Sequence, residues 1–160
     1  MDFESLLTRV HPLYRPMSTP PREDVDAVER AWGISAPPTF RTFLERLGGG
    51  ALVGAGGVME IWWTPDQLGR ARERDILPFG LRGTRAVVFG SDGGGYDYAF
   101  DVDGDFGRGA YAVLAADGAS DLVEFLAPDF AGALERIAFG PRRDTYADEV
   151  LRSARRETLR

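Results

Sequence analysis

Polar and apolar residues alternate along the segment from residue 96 to residue 103. The apolar positions and the positions between them are Tyr96, Tyr98, Phe100 and Val102 against Asp97, Ala99, Asp101 and Asp103. A period of two is typical of a β-strand, because successive side chains point to opposite faces of the sheet. The pattern therefore predicts a strand with an aromatic side in the core and an acidic side facing away.

Residues 58–64 have the pattern of another strand. Glu60 is expected to face water, and the odd-numbered residues beside it then face the core. Those neighbours are Met59, Ile61 and Trp63. Trp62 then shares the outward side with Glu60, either covered by another element of the domain or exposed as an aromatic anchor for a partner.

Two further strands flank the alternating segment. Residues 85–89 include a continuous apolar run that suits a central strand. Residues 110–114 return as the partner of the alternating strand, after a glycine-rich turn at 103–109.

Helical periodicity marks the rest of the chain. It is clearest after Pro38, where Phe40, Phe43, Leu44 and Leu47 fall on one face at i, i+3, i+4 and i+7 before a run of glycines. The other predicted helices are residues 3–10, 23–32, 64–74, a segment from Ser120 interrupted by Pro128 and continuing to Ile137, and the tail from Asp144. Prolines at 12–21 predict an extended linker.

The order of these elements predicts an α+β fold. Helices, a strand, a helix, a meander of strands and more helices do not alternate as βαβ units do. We therefore expect a single, mainly antiparallel sheet flanked by helices, in one domain spanning residues 1–160.

Composition narrows the class of protein. The 160 residues are 44% hydrophobic and 28% charged, which suits a globular domain. The absence of cysteine excludes disulfides and thiolate zinc sites, and the single histidine, His11, excludes schemes that need two. Without an apolar run of about 20 residues or the basic start of a signal peptide, the expected location is the cytoplasm and no membrane partner is expected.

The charge is unevenly distributed. All 19 basic residues are arginine, and 25 acidic residues bring the net charge to −6. Residues 86–129, here called the acidic stretch, hold nine acids and one base, a net −8 that leaves +2 for the rest. Such a chain is a poor nucleic-acid binder but could suit a basic partner, and a merely solubilising face is the competing interpretation.

None of the candidate motifs for catalysis or for binding a metal or cofactor is complete. The glycine clusters at 54–57 and 90–95 lack the following helix and the lysine of a phosphate loop. The aspartates at 101–105 begin like a calcium loop, yet Phe106 and Ala112 stand where glycine and glutamate are required, so a turn is predicted and adventitious calcium binding stays open. Ser91 lacks a nucleophile elbow, and no carboxylate pair stands out.

Two segments resemble the SUKH superfamily, which includes fungal regulators of cell-wall synthesis and many bacterial immunity proteins. Residues 28–44, VERAWGISAPPTFRTFL, look like that family's helix, glycine and Pro-x-x-(Tyr/Phe)-Arg-x-Phe-Leu element. Residues 88–101, VFGSDGGGYDYAFD, are similar to its apolar strand, Gly-Ser-Asp-Gly loop and aromatic strand. With a looser match at 120–126, the resemblance spans about 20–138, although Ala36 replaces the usual leucine.

The resemblance implies a non-enzymatic binding module without a cofactor. Bacterial members bind a cognate toxin, often a nuclease or another nucleic-acid-modifying domain, whereas a regulatory or scaffolding protein with a housekeeping partner is the alternative. Our candidate partner-binding residues are Asp92, Asp97, Asp101, Asp103 and Asp105 for charge, with Trp62 as the anchor. On this hypothesis, combining Asp97→Arg with Asp101→Arg weakens toxin binding without unfolding the domain.

Overall fold

Each described strand of the sheet lies beside the strand that precedes it in the chain. The computed structural model describes residues 2–18, 25–27, 29–30, 35–61, 86–101, 110–114, 124–142, 152 and 154–159. The elements are α1 (Phe3–Val10), a 3₁₀ turn (His11–Leu13), β1 (Tyr14–Ser18), α2 (Pro38–Leu47), β2 (Gly49–Gly54), β3 (Gly57–Ile61), β4 (Ala86–Ser91), β5 (Tyr96–Asp101), β6 (Ala110–Leu114), β7 (Glu124–Ala127) and α3 (Phe130–Phe139). Residues 25–27, 29–30, 152 and 154–158 are also helical.

These described strands form one antiparallel meander in the order β1-β2-β3-β4-β5-β6-β7. The predicted α+β fold, with a mainly antiparallel sheet flanked by helices, is confirmed. So are the helix at the N-terminus, the helix after Pro37 and the four strands of the central region, whose bounds shift by a few residues. The helix predicted at 64–74 lies outside the described residues.

The prediction of a helix from Ser120 is wrong over residues 124–127, whereas its continuation after Pro128 is confirmed. Residues 124–127 form the edge strand β7, paired to β6 through Tyr111↔Phe125, and the helix begins only at Phe130. A short apolar run fits either period, and pairing with an open sheet edge decides in favour of a strand here. Pro128 and the N-cap Asp129 then start α3.

Two strands have no counterpart among the predicted elements. β1 occupies part of the predicted proline-rich linker, with Pro16 inside it, and β2 follows α2 directly from Gly49. Prolines mark edge strands as well as linkers, and a glycine-rich strand carries little hydrophobic pattern. These two missed strands make up one end of the sheet.

Helices α2 and α3 pack on one side of the sheet through aromatic rings. Phe40 of α2 lies 5.1 Å from the ring of Phe100 and 5.0 Å from that of Phe130, both at steep angles. Phe89 stacks on Phe100 at 4.2 Å, and the burial of Phe40 and Phe89 is complete. Each edge-to-face pair adds about 0.5–1.5 kcal/mol beyond area burial, so this cluster fixes both helices to the centre of the sheet.

The opposite side of the sheet is covered in its middle and open at one end. Val88, Asp97 and Ala99 on β4 and β5 are 4%, 2% and 1% exposed. On β2 and β3, by contrast, Val53 is 51% exposed and Glu60 is exposed. None of the described helices is both long and apolar enough to cross a membrane.

Candidate functional site

The loop between β4 and β5 is closed by its own aspartate. Asp92 accepts hydrogen bonds at Oδ1 from the backbone N–H groups of Gly94 (2.7 Å) and Tyr96 (3.0 Å), and its N–H donates to the Tyr96 carbonyl (3.0 Å). Gly93, at φ 70°, donates to Ser91 Oγ over 2.9 Å. The Gly-Ser-Asp-Gly sequence thus builds a turn, since its side chains satisfy the loop's own backbone donors.

Asp92 and Asp97 do not stand on an open acidic face. Asp92 is 6% exposed and Asp97 is 2% exposed, the latter near the start of β5 opposite Ser91 of β4. The expectation that Asp97 lies on an open acidic side of the strand is therefore wrong, and the candidate contact Asp92 is buried as well. Alternation along a strand shows which residues share a side, but it does not show whether other parts of the chain cover that side.

Of the remaining candidate partner-binding residues, the structure describes only the backbone of Asp101. Asp101 ends β5 opposite Ala86, and its side chain is not described. Trp62, Asp103 and Asp105 lie outside the described residues. Their part in partner binding stays a prediction.

A row of side chains crosses the open end of the sheet and was missed by sequence reasoning. The register pairs Arg15 with Ala51, Ala51 with Glu60 and Glu60 with Ser91, which places these residues on one side. Sequence reasoning gave Glu60 an outward position but did not predict β1 and β2. The side of β1–β3 that faces away from the buried Leu52 and Met59 is here called the β1–β3 face, and its residues are Arg15, Ala51, Val53, Val58 and Glu60.

Arg41, within the motif that follows Pro37, is an ion-pair centre. Its guanidinium contacts Asp26 (2.6 Å), Glu29 (3.1 Å) and Glu45 (3.0 Å), and its side chain is 22% exposed. Glu29 also accepts a hydrogen bond from the Ala36 N–H over 3.1 Å. The hydrogen bond to Asp26, reinforced by Glu29, raises the pKa of Arg41, so this residue stays charged and ties the helical residues 25–27 and 29–30 to α2.

The glycine cluster at 54–57 caps a helix. The N–H of Ala55 donates to the Ala138 carbonyl (3.0 Å) and the N–H of Gly56 donates to the Ile137 carbonyl (2.9 Å). These are carbonyls of the last turn of α3, which have no partner within the helix. The β2–β3 turn therefore satisfies the end of α3, and the glycines allow the two backbones to approach.

Two shallow grooves lie among the described helices. One, about 350 Å³ in volume, runs between α1 and α3; Asp2 and Asp129, the N-caps of the two helices, lie on its wall. The cap hydrogen bond from the Ser5 N–H lowers the pKa of Asp2. The other, about 390 Å³, includes His11 and the ion pair of Arg46 with Glu4. Across the described ranges, no group of three histidine, cysteine or acidic side chains is placed to hold a metal ion.

These contacts define an α+β domain in which helices cover one side of a meander sheet and the motif residues hold backbone segments together. The chain belongs to the SMI1/KNR4 family (SUKH-1), whose sequence model matches residues 19–136. The match includes both segments that carry the resemblance, so the SUKH prediction is confirmed. A search of curated proteins found no match to the chain.

Proposed function

We propose that this protein is an immunity protein, a non-enzymatic module that neutralises a cognate toxin by direct contact in the cytoplasm. Membership of the SUKH-1 family supports a binding role. The observation that carries the proposal further is the acidic stretch, whose nine acids and one base all lie along the chain between the end of β4 and the start of α3. A local field of one sign attracts a basic toxin before contact and raises the association rate.

Four of the nine acids in the stretch contribute little to such a field. Asp92 and Asp97 are buried, Glu124 pairs with Arg136 over 3.1 Å, and Asp129 caps α3. Each of these four is thus buried, ion-paired or engaged as a helix cap. The charge hypothesis therefore applies to the other five acids, which are Asp101, Asp103, Asp105, Asp117 and Asp121.

Co-expression in a heterologous host tests the function. Each gene next to the one for this chain is expressed under a tight promoter, with and without this chain. We expect one neighbour to stop growth alone, to permit growth when this chain is present, and to co-purify with it at a 1:1 ratio. If no neighbour is toxic, and the purified chain retains only housekeeping proteins from its own cells, the regulatory alternative replaces the proposal.

Charge reversal within the stretch tests the mechanism on that complex. Asp103→Arg with Asp105→Arg is compared with Glu135→Arg and Glu157→Arg, an equal change in net charge at exposed residues outside the stretch. We expect the first pair to slow association roughly tenfold at low salt, with the difference shrinking at high salt, and the control pair to change it less. Equal effects of the two pairs would remove the acidic stretch from the recognition mechanism while leaving the immunity function intact.

A further inference from the structure

Two exposed side chains of opposite charge, Arg15 and Glu60, lie on the β1–β3 face. Neither the Arg15 guanidinium nor the Glu60 carboxylate makes a hydrogen bond or ion pair with a described residue. Both are paired in register with Ala51, one from each side. With strands about 4.8 Å apart, the two side chains start roughly 10 Å from each other, which is too far for a direct ion pair unless both extend.

The surface beside these charges is apolar. Val53 is 51% exposed, and Ala51 and Val58 are partly exposed on the same side. The uncovered side of an antiparallel sheet is normally polar, and an exposed apolar patch with a charged rim marks an interaction surface. The β1–β3 face has this composition.

At each edge of the described sheet, some backbone groups are not free to pair with an added strand. On β7, Arg136 donates to the carbonyls of Phe125 (3.1 Å) and Leu126 (3.0 Å). On β1, Pro16 has no N–H, and the Tyr14 N–H is bonded to the His11 carbonyl. A partner therefore meets the face of the sheet more easily than its edges.

We propose that the β1–β3 face binds a second copy of this chain in a two-fold symmetric dimer. An axis passing near Ala51 brings Arg15 of each copy opposite Glu60 of the other, so the face complements itself in charge. Two-fold contacts use the same patch on both copies, which is the property that this arrangement of charges provides. The inference concerns self-association and does not depend on the immunity function.

The dimer is expected to be weak. A patch three strands wide is smaller than the roughly 800 Å² per partner of a standard interface, so association belongs in the high-micromolar range, about 10⁻⁴ M. Sedimentation velocity from about 10 μM to 1 mM covers this range. The wild-type chain is expected to move from monomer towards dimer as its concentration rises.

Charge exchange identifies the interface. Arg15→Glu alone and Glu60→Arg alone each place like charges opposite one another, and we expect the dimer dissociation constant to rise roughly tenfold. The two single variants mixed together restore both opposite-charge contacts, and so does the double variant in one chain. Arg46→Glu, the same charge change on exposed α2, is the control and leaves dimerisation unchanged.

Three results would overturn the proposal. The wild type could remain monomeric over the whole range, which would exclude a second copy as the occupant of the face. Val53→Asp could leave association unchanged, or the mixed single variants could fail to recover it, and either result would place the contact elsewhere. Circular dichroism of each variant verifies that the exposed substitutions leave the fold intact.

Discussion

At the scale of single residues, glycine clusters that resemble ligand loops here mark close contacts between backbones. Gly56 is the clearest case, because a Cβ at this position would meet the carbonyl oxygen of Arg136 on α3. Its N–H is at the same time bonded to the Ile137 carbonyl. The absence of a side chain is thus what lets the β2–β3 turn cap the helix.

We expect Gly56→Ala to lower the free energy of unfolding by about 1–3 kcal/mol, because backbone atoms must move apart to admit the methyl group. Urea denaturation measures the loss. Ala55→Ser, at the neighbouring exposed position of the same turn, is the control and should stay within about 0.5 kcal/mol of wild type. An alanine variant as stable as this control would mean that the turn does not pack closely on α3.

Tyr14 is expected to make the free energy of unfolding fall at alkaline pH. Its ring is buried, its hydroxyl donates to the Gly48 carbonyl over 2.6 Å, and burial raises its pKa above the ordinary value of 10.0. Below pH 10 the hydroxyl is neutral in both folded and unfolded chains, and the full contribution to stability is present. Above pH 10 the unfolded chain releases the proton first, so stability falls as pH rises towards the folded-state pKa.

Denaturation at pH 8 and at pH 10.5 tests this sign. Tyr14→Phe should lose about 1–2 kcal/mol at pH 8, because the Gly48 carbonyl loses its donor. Its further loss between the two pH values should then be smaller than that of wild type. Parallel losses in the two proteins would assign the alkaline decline to other groups.

At the scale of elements, the sequence predicts those with strong periodicity and misses those that depend on neighbours. The pattern after Pro38 places α2 within a residue, and the alternation from Tyr96 gives β5 and its core-facing rings. The local pattern of β7 is compatible with a helix, and it forms a strand because it pairs with β6. β1 contains a proline, which is typical of a linker. Tertiary pairing, which no local window contains, decides these two strands.

Arg136 of α3 is bonded to the edge strand β7, since its guanidinium donates to two backbone carbonyls of that strand. Arg136→Met keeps an apolar stem but leaves the carbonyls of Phe125 and Leu126 without this donor. We expect a loss of about 1–2 kcal/mol and increased light scattering at high concentration, as the opened edge recruits other chains. Arg46→Met, which removes one exposed ion pair, should change neither quantity by much. Equal stability and equal light scattering of the two variants would mean that Arg136 does not protect the edge of β7.

At the scale of the whole molecule, net charge and exposed charge are different quantities. The sequence fully determines the −8 of the acidic stretch, yet two of its acids are buried, one is paired and one caps a helix. Which side of a sheet is covered depends on segments distant in sequence, so the candidate site could be predicted only in part. The open β1–β3 face could not be predicted for a different reason, since two of its three strands lack a local pattern.

A substitution at Asp97 therefore tests the stability of the fold and cannot test partner binding. Asp97→Arg puts a longer side chain of opposite charge into a position that is 2% exposed, so we expect a loss above about 3 kcal/mol. Combined with Asp101→Arg, it would report unfolding instead of a lost contact, which corrects the expectation that this pair leaves the domain folded.

Thermal and urea denaturation test the point on three proteins. Asp97→Asn, nearly equal in size, should lose less stability than Asp97→Arg, while Asp103→Arg with Asp105→Arg should melt close to wild type. An Asp97→Arg variant as stable as wild type would show that this carboxylate can reach solvent, and it would then regain its place among the candidate contacts. Only a pair that leaves the melting temperature unchanged can measure what the acidic stretch contributes to a toxin complex.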